Sequence, residues 1–121
     1  MAFPTDWPTG CPPADAEDAN GEFYRIVKAD PLRADDFLSY HEMGIARGDP
    51  ILRFGLSLFR LRSDAELASR TFRNLGKVIA QCELQEEHGK IKQTGRPTHT
   101  TWWPYLGVDR VSLFNVVGVV T

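Results

Sequence analysis

The sequence predicts a single α+β domain with a mostly antiparallel sheet, two short helices and an irregular, proline-rich N-terminal arm. Three observations support this fold class. Several short segments alternate apolar and polar residues with a period of two, which is typical of strands with one buried face. Helical patterns occur early in the chain, whereas strand patterns cluster near its end. The 121 residues also match the length of one domain with its own core.

The predicted arm spans residues 1–21, and the predicted α+β domain spans residues 22–121. The arm contains four of the eight prolines, which disfavour a helix because proline fixes φ and has no backbone N–H: Pro4, Pro8, Pro12 and Pro13. Residues 22–28 are rich in aromatic and β-branched side chains and predict the first strand. A short helix is predicted over residues 34–43, with Pro31 at its entry and Gly44 after its end.

The middle of the chain predicts a strand followed by a second helix. Apolar residues occupy the even positions from 52 to 58, which indicates a strand with one buried face. Ser63 and Glu66 have the spacing of a capping box, so the second helix is expected to begin there and end near Arg73. Four further strands are predicted at the end of the chain, over residues 77–84, 90–94, the segment around Trp102, and residues 110–120.

Composition and charge narrow the function classes. The chain carries a net charge of −2, with an acidic first half and a basic stretch after residue 51. Because such faces commonly pair within a fold, nucleic-acid binding is not expected. The apolar segments are too short for a membrane span. The first residues do not resemble a secretory signal, and Cys11 and Cys82 are too few for a disulfide framework, so a cytoplasmic location is expected.

The segment around Trp102 and Trp103 is the main candidate site. Neighbouring residues on a strand point to opposite faces, so one tryptophan is expected in the core and the other outside. An outward tryptophan lines a pocket, contacts a partner or lies under a covering loop. His99, Tyr105 and Arg96 flank the pair. This composition predicts a small protein-binding module, of the inhibitor or immunity type, that binds another protein and needs no cofactor.

Other polar residues offer fewer indications of chemistry. The three histidines and two cysteines lack the close spacing of zinc ligands, so no metal site is expected. Arg25 in the first strand is either a charge that guards a sheet edge or a clamp for phosphate. The acidic run from residue 81 to 88 is either a solvated turn or the source of a general base.

Three of these segments, in their order along the chain, resemble the ADP-ribosyltransferase fold. They are Tyr24-Arg25, Gly55-Leu-Ser57-Leu-Phe59 and Gln85-Glu86-Glu87. The resemblance covers about residues 22–94 and rests on the order of the elements. It implies that Arg25 would hold the phosphates of NAD, that Ser57 would shape the nicotinamide pocket, and that Glu87 would stabilise the ribosyl cation. An NAD-dependent transferase is therefore the alternative to the binding module.

Overall fold

The alternating segments form one seven-stranded sheet in the computed structural model, which describes residues 1–121. The strands are β1 (Glu17–Asp18), β2 (Gly21–Val27), β3 (Leu56–Phe59), β4 (Val78–Leu84), β5 (Gly89–Gln93), β6 (His99–Pro104) and β7 (Phe114–Val119). Their order across the sheet is β1-β5-β6-β3-β2-β4-β7, and every neighbouring pair is antiparallel. One α-helix, α1 (Arg62–Thr71), and several short 3-10 turns connect them. The single domain and its antiparallel sheet confirm the coarse prediction.

One face of the sheet carries the main hydrophobic core. Phe23 from β2, Trp102 from β6 and Phe114 from β7 lie on this face and are buried. The irregular chain that covers it brings Phe37 within 4.6 Å of the Phe114 ring, measured between centroids. Burial of these large aromatic side chains contributes most to the stability of the domain, because each removes a large apolar surface from water.

The opposite face is covered in part by α1. Ala65 of the helix is fully buried and belongs to a second, smaller cluster with Phe59, Ile79 and Val120. Small side chains at the contact let the helix lie close to the strands. None of the helices combines the length and the apolar character that crossing a membrane requires.

Residues 1–16, the N-terminal segment, contain turns but no helix or strand. Phe3 stacks on Trp7 with 5.1 Å between ring centroids and lies 4.7 Å from the ring of Tyr105. Trp7 in turn meets the edge of Phe54 at 5.9 Å. The segment is therefore packed against the domain. Two strands begin within the residues predicted to be irregular, because β1 and the first residue of β2 precede residue 22.

The predicted helix over residues 34–43 is wrong. The chain forms only a 3-10 turn over Ala34–Phe37 and becomes extended at Leu38. The Ser39 backbone N–H donates to the Glu42 carboxylate, and the Glu42 N–H donates to the Ser39 hydroxyl. These reciprocal bonds cap one turn, in which the Met43 N–H donates to the Ser39 carbonyl at 3.1 Å. The turn ends at Gly44, whose φ is +78°, so no longer helix forms.

The boundaries of three other elements differ from the prediction. Residues Leu52–Phe54 form a 3-10 turn because the Asp49 carboxylate accepts the N–H groups of residues 51 and 52, so the strand starts only at Leu56. The helix α1 begins at Arg62 without a side-chain cap, so the capping box predicted at Ser63 is wrong. A 3-10 turn also precedes β7, which begins at Phe114.

Candidate functional site

A groove of about 820 Å³ opens on the sheet face that α1 only partly covers. Its floor includes Ser57 of β3 with His99 and Thr101 of β6, and these strands are directly paired. The helix α1 supplies one wall. The other wall comes from the loop between residues 38 and 55, which we call the wall loop. A concavity of this volume falls within the range of ligand and peptide sites.

Exposed apolar side chains concentrate around this groove. Five of the nine large apolar residues that are exposed in the structure line it: Tyr40, Met43, Leu67, Phe72 and Leu75. Leu67 and Phe72 are 57% and 58% exposed. Single exposed apolar residues are ordinary in globular proteins, but a contiguous set around one concavity indicates an interaction site.

A hydrogen-bonded group of polar side chains lies at the floor of the groove. The Thr94 hydroxyl lies 3.0 Å from His99 Nδ1 and 2.7 Å from the Thr101 hydroxyl. The His99 ring also meets the Phe59 ring edge-on, at 5.4 Å between centroids. Burial lowers the pKa of His99, because the charged imidazolium is poorly solvated there. His99 is therefore held neutral at the pH where a free histidine begins to charge.

Arg25 and Ser57, both singled out in the sequence, are brought together. The strands β2 and β3 are paired only through Tyr24 and Phe59. Beyond that pair, Arg25 Nη1 donates to the Ser57 carbonyl oxygen at 2.8 Å, and Arg25 Nε donates to the Asp36 carbonyl oxygen at 2.9 Å. Burial lowers the pKa of Arg25 to about 10, so the group stays charged at neutral pH.

These contacts give Arg25 a structural task. The strand β2 lies inside the sheet, so the interpretation of Arg25 as a charge at a sheet edge is wrong. Its guanidinium ties β2 to β3 where the strands diverge. Two of its N–H donors are engaged by backbone carbonyls, while the Ser57 side chain remains exposed on the groove floor.

Glu87 lies outside the groove, in the 3-10 turn Glu86–His88 that connects β4 to β5. Arg25 is opposite Ala80 on β4, and the strand continues from there to Leu84. At the usual rise of a strand, those four residues alone span about 13 Å. The structure therefore places Arg25 and Ser57 near each other, with Glu87 beyond the far end of β4.

The prediction that one tryptophan faces outward is wrong, since both Trp102 and Trp103 are 0% exposed. The indole N–H of Trp102 donates to the His88 carbonyl at 3.0 Å. The indole N–H of Trp103 donates to the Ile51 carbonyl at 3.2 Å, and the Cys11 thiol lies 3.7 Å from the same oxygen. Burial raises the pKa of that thiol to about 11. The wall loop and the N-terminal segment therefore cover the outer tryptophan.

The three residues predicted to flank an exposed tryptophan have separate positions. His99 and Arg96 line the groove. Tyr105 is partly buried and packs on Phe3 of the N-terminal segment, so it does not share the groove. The predicted surface is therefore split: His99 and Arg96 lie in the open groove, whereas Tyr105 is covered by the N-terminal segment.

The sequence analysis missed the apolar residues that line the groove. Only Leu67 could have been found from the sequence, by its position on the predicted helix. Ala65, Ala68 and Phe72 follow the spacing of one helical stripe, whereas Leu67 falls off that stripe and is therefore expected to face solvent. Tyr40 and Met43 carried no such signal, because the helix predicted around them does not form.

No group of three or more histidine, cysteine, aspartate or glutamate side chains is arranged to hold a metal ion. Comparisons of the chain with known protein families, with curated proteins and with solved structures gave no match.

Proposed function

We propose that this protein is a small binding module whose groove takes up an apolar segment of another protein. The observation that carries the proposal is the set of five exposed apolar side chains around one concavity. A partner that covered them would remove this apolar surface from water. Full burial of one such side chain contributes at most about 1.5–3 kcal/mol, so several anchors acting together are needed to offset the cost of association.

The polar groups of the groove are also better suited to binding than to catalysis. The hydroxyl of Thr94 already lies within hydrogen-bond distance of His99 Nδ1. Two N–H donors of Arg25 are engaged by backbone carbonyls. A catalytic site needs donors and bases directed at a substrate, whereas these groups mainly hold the floor of the groove in place.

A peptide selection tests the proposal. Short random peptides displayed on phage are selected on the immobilised protein, and the Kd of the best synthetic peptide is measured by fluorescence anisotropy. We expect Leu67→Ser combined with Phe72→Ser to weaken binding by about tenfold or more. Leu106→Ser is the matched control, because Leu106 is 68% exposed and lies outside the groove. Peptides that bind the double variant and the wild type equally would overturn the proposal.

NAD-dependent ADP-ribosyl transfer is the second candidate. The proximity of Arg25 and Ser57, the two residues that the resemblance assigns to NAD, favours it. The engagement of two Arg25 donors by backbone carbonyls weighs against it. The position of Glu87 outside the groove weighs against it. The test is release of nicotinamide from NAD in the presence of a cell lysate. Release that is lost in Glu87→Ala and kept in Glu86→Ala would support the transferase, and absence of release would reject it.

A further inference from the structure

The strands β2 and β3 open into a gap on the floor of the groove, which we call the fork. They are paired only at Tyr24 and Phe59. A continued antiparallel register would place Ile26 opposite Ser57, and both of these residues line the groove. The Ser57 carbonyl accepts Arg25 Nη1 at 2.8 Å instead of a backbone N–H of β2. One long side chain therefore bridges the two strand edges where a ladder would otherwise continue.

The backbone groups of Ile26 and Ser57 are turned toward the fork. The Thr94 N–H donates to the His99 carbonyl at 3.0 Å, so His99 directs its own backbone groups to β5. Its partner on β3, Phe59, therefore directs its groups away from β6 and toward β2. Because strand residues alternate in this direction, Ser57 faces the fork as Phe59 does. The same alternation along β2 turns Ile26 toward the fork from the other side.

Three of these backbone groups are left without a partner strand. The N–H and the carbonyl of Ile26 and the N–H of Ser57 lie outside the β2–β3 ladder, and they make no turn, loop or side-chain hydrogen bond. Farther along β2, the Lys28 N–H is already bound by the Asp36 carboxylate at 3.0 Å. Backbone groups in folded proteins are nearly always paired, and an unpaired strand edge is a template for another strand. The fork is thus an open edge inside the sheet, beside the apolar side chains of the groove.

We propose that the groove binds its partner as an extended strand, whose backbone pairs antiparallel with the free edge of β2 at Ile26. This inference rests on the proposed binding function and specifies the conformation and sequence pattern of the partner segment. The peptide residue opposite Ile26 donates to its carbonyl and accepts from its N–H, while the Ser57 N–H is available to a peptide carbonyl. Side chains of a strand alternate between its faces, so the apolar anchors fall at every second position. A helical partner would space them three or four residues apart.

N-methylation of the selected peptide tests this mode of binding. Each backbone N–H of the best peptide from the phage selection is replaced in turn by N–CH3, and the Kd is measured by fluorescence anisotropy. We expect N-methylation of the residue opposite Ile26 to weaken binding by about tenfold or more, because it removes a hydrogen bond and places a methyl group between the strands. The two adjacent positions are the matched controls, since their N–H groups point away from β2 and the Ser57 carbonyl is already engaged by Arg25.

Hydrogen exchange of the protein gives a second readout. Saturation with the peptide should slow exchange of the Ile26 and Ser57 amide protons by about tenfold or more, because both become hydrogen-bonded. The Tyr24 amide is the internal control, because Tyr24 is already paired with Phe59 and its exchange should change little. NMR follows all three protons in one sample.

The outcomes separate this inference from the proposed function. A peptide may need Leu67 and Phe72 for binding and yet tolerate N-methylation at every position, or leave the exchange of Ile26 and Ser57 unchanged. Either result would overturn the extended strand and leave the binding function standing. Apolar residues spaced three or four apart in the selected peptides would overturn the strand in the same way. Selection of no peptide that depends on Leu67 and Phe72 would overturn both proposals.

Discussion

Trp102 and Trp103 are neighbours on β6 and equally buried, yet two different kinds of structure bury them. Trp102 belongs to the main core, among strand residues and Phe114. Trp103, on the opposite face, bonds to the wall loop and lies near Cys11 of the N-terminal segment. Farther along this second face, no chain covers the groove that contains His99 and Ser57. The wall loop and the N-terminal segment therefore determine which part of this face is covered and which part is open to solvent.

The largest expected effect comes from truncating either tryptophan. We expect Trp102→Ala and Trp103→Ala each to cost about 3–5 kcal/mol of unfolding free energy, because each leaves a large cavity and removes a hydrogen bond from an indole N–H to a backbone carbonyl. Urea unfolding followed by circular dichroism measures this loss. A cost below about 1 kcal/mol for Trp103→Ala would mean that this tryptophan is exposed after all.

A second variant separates the two tryptophans. Trp7→Ala removes the ring that links Phe3 to Phe54, and we expect it to cost about 2 kcal/mol. The indole N–H of Trp103 should then exchange with deuterium faster, since its cover is loosened, whereas that of Trp102 should not. Hydrogen exchange followed by NMR reads both protons in one sample. Equal acceleration of the two protons would show that the N-terminal segment does not selectively cover Trp103.

These covering segments also mark the limit of what the sequence predicts. Aromatic and β-branched composition places β2, and alternation of apolar residues places β4, within a residue of their observed bounds, because both signals are local. The burial of Trp103 depends on contacts with Cys11 and Ile51, which are distant along the chain. Periodicity carries no information about such contacts, so the outward tryptophan was a reasonable but wrong expectation.

The candidate site was predictable only in fragments. Arg25, Ser57, His99 and Arg96 attracted attention from the sequence, and all four line the groove. Their grouping could not be read from spacing, because it depends on the register of β3 with β6 and on the divergence of β2 from β3. The wall loop was harder to predict, since the chain makes a single turn after Ser39 and does not continue as the helix expected there.

The open end of the face depends on the anchoring of the wall loop. Arg110 donates to both oxygens of Glu42, at 2.7 and 2.9 Å, and to the Phe37 carbonyl at 2.7 Å. Burial opposes the ionisation of Glu42, but the bonds from Arg110 and Ser39 outweigh it and keep the pKa of the carboxyl below its ordinary value. We expect Arg110→Ala to cost about 2 kcal/mol.

The same ion pair predicts a dependence on pH. A carboxyl with a lowered pKa stabilises the fold above its unfolded pKa, and this stabilisation is lost as the pH falls through the folded value. Wild type should therefore lose more stability than Glu42→Gln on acidification from about pH 6 to about pH 3. Parallel curves for the two proteins would exclude a contribution from this pair.

The smallest expected effect concerns His99 on the open floor. Its pKa is lowered by burial, so the unfolded state binds a proton more readily than the folded state does. Stability should thus fall as the pH drops through the unfolded pKa of about 6.5, and the fall should stop below the folded pKa. We expect His99→Gln to remove under about 1 kcal/mol of this dependence, measured by urea unfolding between about pH 7.5 and about pH 5.

The groove sharpens this last prediction. A peptide that covers His99 would remove more water from the imidazole and lower its pKa further, so the bound complex would resist protonation more than the free protein. Peptide affinity should accordingly decrease on acidification in the wild type and change less in His99→Gln. If the two proteins show the same pH dependence of Kd, the peptide does not reach the floor of the groove, and its contacts are confined to the apolar rim.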